Sequence, residues 1–244
     1  LHASIIQKTF KPILAEVIRT CRITFSQELH SIYVYGSVAK GIAKVGISDL
    51  DVCVIFNTQT ADQERLIVQI QQKLIEKYPI LPKIDFDIGY IHDVLLEKNL
   101  NYWGAWIKFF CTQIYGDDLS SYFKDVEINL EVIKAINSGY EKEVSQYFYI
   151  LNNGKRNSLE LLNTKKSLIK RIIRLLPLTL KTINASTWPL NLDDTIQQAI
   201  VAHPDQTNDL VYLNQQLHSS EQADSILLKN LSDIYYWIDE QIFE

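Results

Sequence analysis

The first apolar pattern in the chain has the spacing of a helix. Ile5, Ile6, Phe10, Ile13, Leu14, Val17, Ile18 and Cys21 recur at intervals of three and four, which predicts a helix over residues 4–28, kinked at Pro12. The period then shortens. Ile32 to Tyr35 is a β-branched and aromatic run stopped by Gly36-Ser37, and Leu50 to Phe56 alternates behind a loop holding Gly41 and Gly46; both read as strands. Leu66, Ile67, Ile70, Leu74 and Ile75 restore helical spacing over residues 61–78, and Pro79 and Pro82 end it. Lys83 to Ile91 alternates once more, as a third strand. The order helix, strand, strand, helix, strand predicts a small mixed sheet with helices covering one side.

Strand signals fade after residue 92. Val94 to Tyr115 reads as an aromatic-rich helical stretch, closed by Gly116 with Asp117-Asp118-Leu119 behind it. From Val126 onward the spacing predicts helices over residues 128–152, 157–183, 193–202, 207–218 and 221–243. Breaks fall at Asn152-Asn153-Gly154, Trp188-Pro189, His203-Pro204 and Ser219-Ser220. The expected fold class is therefore α+β, a sheet domain over residues 1–120 followed by an all-α bundle over 121–244.

The strands also carry charge in a pattern. Side chains alternate across a strand, so Asp49 and Asp51 point to one face while Leu50 and Val52 point to the other. Asp85 and Asp87 share a face in the same way. Neighbouring carboxylates repel and resist burial, so they call for a cation between them. Oxygen-only donors favour magnesium, which takes its remaining ligands from water and substrate phosphates. If the third strand lies beside the second, three or four carboxylates meet next to Gly36-Ser37, enough for two ions and a triphosphate.

This arrangement resembles the nucleotidyltransferase superfamily, which includes DNA polymerase β, the poly(A) and CCA-adding enzymes and the antibiotic adenylyltransferases. The shared pattern is Gly36-Ser37, then Asp49-Leu50-Asp51, then a later strand with a third acid, here Lys83-Ile84-Asp85. Eleven residues separate Ser37 from Asp49, one more than most members carry. The resemblance covers residues 30–92. It implies that Gly36 lets the chain approach the triphosphate and that Ser37 contacts a phosphate, with Lys40 and Ser48 in the same nucleotide site. Asp49 and Asp51 would hold metal, and Asp85 would complete the site and act as base, with Asp87 as the substitute candidate. The implied cofactors are two magnesium ions, with ATP as co-substrate.

Three further segments resemble the streptomycin and spectinomycin adenylyltransferases. Gly104-Ala105-Trp106 is similar to a Gly-Glu-Trp in which the Trp lines the antibiotic site, so Trp106 is the implied acceptor contact. Tyr115 to Leu119 and Arg156-Asn157 have counterparts there too. An acid before that Arg-Asn pair is replaced here by Lys155, which departs from the antibiotic-binding pattern.

Lys166, Lys170 and Arg174 form a basic line on the second bundle helix, with Lys165 and Arg171 alongside and Leu162, Ile169, Ile172, Ile173 and Leu176 behind. Such lines are usually solvated faces. The functional alternative is that Lys166 and Lys170 meet nucleotide phosphates, where cations offset developing charge.

Composition narrows the acceptor. The net charge of −5 over 244 residues gives no strong nucleic-acid signal, so a small hydroxyl-bearing acceptor is expected beside the nucleoside triphosphate. Cys21, Cys53 and Cys111 are widely spaced and read as buried apolar groups in a reducing compartment. No apolar run is long enough to span a bilayer, and a cytoplasmic protein is expected. The reading as a whole is transfer of AMP from ATP to an acceptor hydroxyl, an aminoglycoside or aminocyclitol among the candidates. The alternatives are transfer to a protein or RNA, or a non-catalytic, antitoxin-like partner with this fold.

Overall fold

The computed structural model describes residues 5–154, 156–180, 182–184, 187–189 and 191–243. The chain divides into two units, Leu1–Val126 and Glu127–Glu244. The division falls after residue 126 rather than at 120/121, because Leu119 and Phe123 are buried with Tyr33, Ile107 and Cys111 of the first unit.

Helix α1 runs over Lys11–Phe25 with Pro12 in its first turn. Proline lacks the N–H that a first turn leaves unused and its φ already suits a helix. It therefore starts the helix instead of kinking it, and Lys8 to Phe10, just ahead of it, form a turn. Strand β1 (Leu29–Tyr35) leads into the four-residue helix α2 (Gly36–Ala39). Strand β2 (Leu50–Phe56), helix α3 (Gln63–Lys77) and strand β3 (Ile84–Tyr90) follow.

The sheet order is β3-β2-β1-β4. Strands β2 and β3 are parallel, joined through α3, and β1 is antiparallel to β2 and to β4. Strand β4, Thr112–Gly116, lies inside the stretch expected to be helical. Its Thr112, Gln113 and Ile114 show little alternation, and pairing with β1 makes it a strand. Ahead of it come the short helix α4 (Ile91–Val94) and two turns of π-helix, Leu100–Gly104 and Trp106–Phe110.

Both faces of the sheet are covered. Ile32, Val34, Val52, Val54 and Phe56 pack against Ile13, Val17 and Cys21 of α1 and Ile67, Ile70 and Leu74 of α3. Burying each aliphatic side chain stabilises by about 1.5–3 kcal/mol, so this face anchors the domain. Tyr33, Cys53 and Ile55 face the other way, under Ile107, Cys111, Leu119, Phe123, Trp103 and Trp106. Gly89 in β3 leaves room for Trp103, and Gly104 leaves room for Phe123 and Val126. Lys108 Nζ donates to the carbonyls of Lys124 and Val126, both at 2.7 Å, tying the aromatic segment to the turn that follows.

The second unit holds helices α5 (Leu130–Ile136), α6 (Tyr140–Asn153), α7 (Ser158–Leu175), α8 (Leu192–Ala202), α9 (Thr207–His218) and α10 (Ser225–Phe243). The single helix expected over 128–152 is broken at Asn137-Ser138-Gly139, with Gly139 at φ 77°, a conformation that favours glycine. The next helix stops at Leu175, eight residues before the expected end at 183, and a 3-10 turn over Leu176–Thr179 carries Pro177. No described helix is long and apolar enough to cross a membrane.

Candidate active site

The candidate site forms where β1 ends. Gly36 has φ 67°, and a β-carbon there would run into Asp51 Oδ2. Glycine is thus required twice, for the backbone angle and for the approach of the Asp51 carboxylate. The turn is closed by Lys40 N donating to Gly36 O at 3.2 Å and Ile42 N donating to Ser37 O at 3.0 Å. Ser37 and Lys40 are half-buried there. Ser48 is occupied within its own loop: its Oγ accepts from Lys44 N at 2.9 Å and its N donates to Lys44 O at 2.8 Å.

The pairing of β2 with β3 brings the acids together. Asp51 is the register partner of Asp85, and Cys53 of Asp87. Adjacent strands lie about 4.8 Å apart, so Asp51 and Asp85 stand side by side on one face. Asp49 lies one residue ahead of β2, half-buried and two positions before that rung. Tyr35 is the partner of Asp51 on the other side.

Each β3 acid has a neighbour that the strand pattern alone did not single out. Lys83 Nζ donates to Asp85 Oδ2 at 2.7 Å. The Tyr35 hydroxyl donates to Asp87 Oδ2, and burial, reinforced by that bond, pushes its pKa well above the usual phenol value. The Tyr35 ring packs on Trp106 with centroids 4.7 Å apart, and Trp106 stacks on Tyr102 at 6.4 Å. Trp106 therefore reaches the acidic face through Tyr35. Alternation puts Lys83 on the face of Asp85, a signal present in the sequence; the part played by Tyr35 needed the fold. Burial raises the pKa of the Cys53 and Cys111 thiols, leaving them inert under this face.

Asp49, Asp51 and Asp85 provide only carboxylate oxygen donors, the chemistry that suits a hard divalent cation such as magnesium. Among the described residues no three Asp, Glu, His or Cys side chains close on one point; Asp85 is turned to Lys83 and Asp87 to Tyr35. Asp85 and Lys83 are both open to solvent, 37% and 56% exposed, so a change of rotamer would free Asp85. The residues fit the ion in kind and in face.

The basic line on α7 is two different things. Lys165 is buried, with Nζ 2.8 Å from the carbonyl of Glu221 and 3.4 Å from that of Ser219. Arg171 bonds the side chain and carbonyl of Asn137 and ion-pairs with Glu143 at 2.7 Å. Those two hold the bundle together, because a buried cation must be satisfied internally. Lys170 and Arg174 are exposed and Lys166 half-buried. Asn157 caps α7 by accepting from Glu160 N at 2.9 Å, a structural use of that asparagine; Lys155 lies outside the described residues.

A sheet of this topology, with paired aspartates beside a glycine turn, is the nucleotidyltransferase arrangement. The sequence matches the nucleotidyltransferase domain over residues 16–174, and the chain belongs to that family. It is a nucleotidyltransferase. Among solved structures it is similar to the spectinomycin adenyltransferase AAD(9) from Enterococcus faecialis, crystallised with ATP and spectinomycin. The TM-score is 0.57 at 14% identity, over 96% of this chain and 99% of that one. No curated protein matches the sequence.

Proposed function

We propose that the protein transfers AMP from ATP to a hydroxyl of a small acceptor and releases pyrophosphate. The observation that carries this reading is the register pairing of Asp51 with Asp85 beside Gly36. Asp49, Asp51 and Asp85 would hold two magnesium ions, which when bound neutralise the triphosphate and lower the pKa of the attacking hydroxyl. Gly36 and Ser37 let the backbone come close to the phosphates, with Lys40 and Ser48 flanking them. The acceptor oxygen attacks the α-phosphorus in line, the bond from that phosphorus to the bridging oxygen breaks, and pyrophosphate leaves. Asp85 takes the hydroxyl proton. Rate would come from alignment and electrostatics, without a covalent enzyme intermediate. Trp106 is proposed to line the acceptor.

The neighbour solved with spectinomycin supports including aminocyclitols and aminoglycosides among the acceptors. The test is pyrophosphate release in magnesium with ATP, GTP, CTP and UTP against such a panel, for the wild type and Asp51→Asn. Release with ATP and one acceptor class, lost in Asp51→Asn, is the expected result. Release that survives Asp51→Asn refutes the site assignment, and release with another nucleotide refutes the choice of AMP.

A further inference from the structure

The acid row contains its own cation. Strand alternation puts Lys83, Asp85 and Asp87 on one face. Leu50 N donates to the carbonyl of Lys83 at 3.0 Å, and the first paired rung is Leu50 with Ile84. Lys83 thus lies just ahead of β3, level with Asp49 and two positions before the Asp51–Asp85 pair. Its ammonium rests on Asp85 Oδ2 at 2.7 Å, in the region where two adjacent carboxylates call for positive charge.

We propose that Lys83 is a positioning residue that neutralises Asp85 in the metal-free enzyme and yields it to the incoming divalent ion. Metal binding at this site is then an exchange of cations, an ammonium for a doubly charged ion. The chemistry favours that exchange. An exposed ion pair between flexible side chains is weak, lysine is a strongly hydrated point charge on a four-carbon stem, and a hard divalent ion takes carboxylate oxygens directly. Without metal, Lys83 would balance the Asp85 carboxylate, and its presence would lower the affinity for the first ion. The inference rests on the metal-binding reading given under the proposed function, and it concerns a residue that reading does not use.

Mn2+ binding tests it without turnover. The full chain, free of nucleotide, is titrated with Mn2+ and the free ion is read by electron paramagnetic resonance. Lys83→Gln should bind about three- to tenfold tighter than wild type, given one repelling and competing charge at contact distance. Lys83→Arg should stay near wild type, and Lys73→Gln, at an exposed position on α3, should change nothing. Lys83→Gln should melt within about 2 °C of wild type, as expected for loss of an exposed pair. If Lys83→Gln binds no tighter while wild type binds Mn2+ and Asp51→Asn does not, this inference falls and the metal site stands. If wild type shows no binding that Asp51→Asn removes, the metal reading falls and takes this inference with it.

Discussion

Gly36 and Asp51 are packed so closely that a single added carbon on the glycine would collide with the carboxylate. The turn after β1 and the acid in β2 are therefore one device. The glycine's left-handed backbone angle brings the loop to the carboxylate, and the missing side chain lets it stay.

Gly36→Ala tests this coupling. A non-glycine residue at φ 67° costs about 1–3 kcal/mol, and the β-carbon must push Asp51 aside. The expected outcome is a modest loss of stability in urea unfolding together with a loss of transferase activity of at least about tenfold, since misplacing a reacting group by an ångström or so costs more than that. Wild-type turnover would show that Asp51 does not have to sit there.

The two acids of β3 are no longer equivalent. Asp85 is in register with Asp51, whereas Asp87 is in register with Cys53 and held by Tyr35. Asp85→Asn should lower kcat by about a hundredfold or more, the usual scale for a lost base or metal ligand. Asp87→Asn still accepts from the Tyr35 hydroxyl and should cost less than about tenfold. Steady-state pyrophosphate release compares them, and the reverse ranking would move the third acid to Asp87.

Two basic residues of α7 that look alike in sequence should separate in a stability assay. Arg171 is largely buried on Asn137 and Glu143, so Arg171→Ala should destabilise by about 2–3 kcal/mol, through the unsatisfied Asn137 groups and the abandoned carboxylate. Lys170 is exposed, and Lys170→Ala should stay within about 0.5 kcal/mol. Equal effects would contradict the buried role of Arg171.

The sequence by itself determined the faces. Because side chains alternate along a strand, the positions of Asp51, Asp85 and Asp87 fixed which side of β2 and β3 would be acidic, and the spacing of Ile67, Ile70 and Leu74 fixed the buried side of α3. Glycine at position 36, just after a β-branched strand, marked the turn for the same local reason. Only the tertiary structure decided neighbours. One strand's pattern states which way it faces and not what lies beside it, so the rung joining Asp51 to Asp85 came from the parallel pairing around α3. Strand β4 was hidden because Thr112 to Ile114 barely alternate, and their hydrogen-bonding partner β1 lies about eighty residues earlier in the chain. The same limit applies to charge. Lys165 and Arg171 read as surface residues until the fold supplied the distant carbonyls and carboxylate that satisfy them.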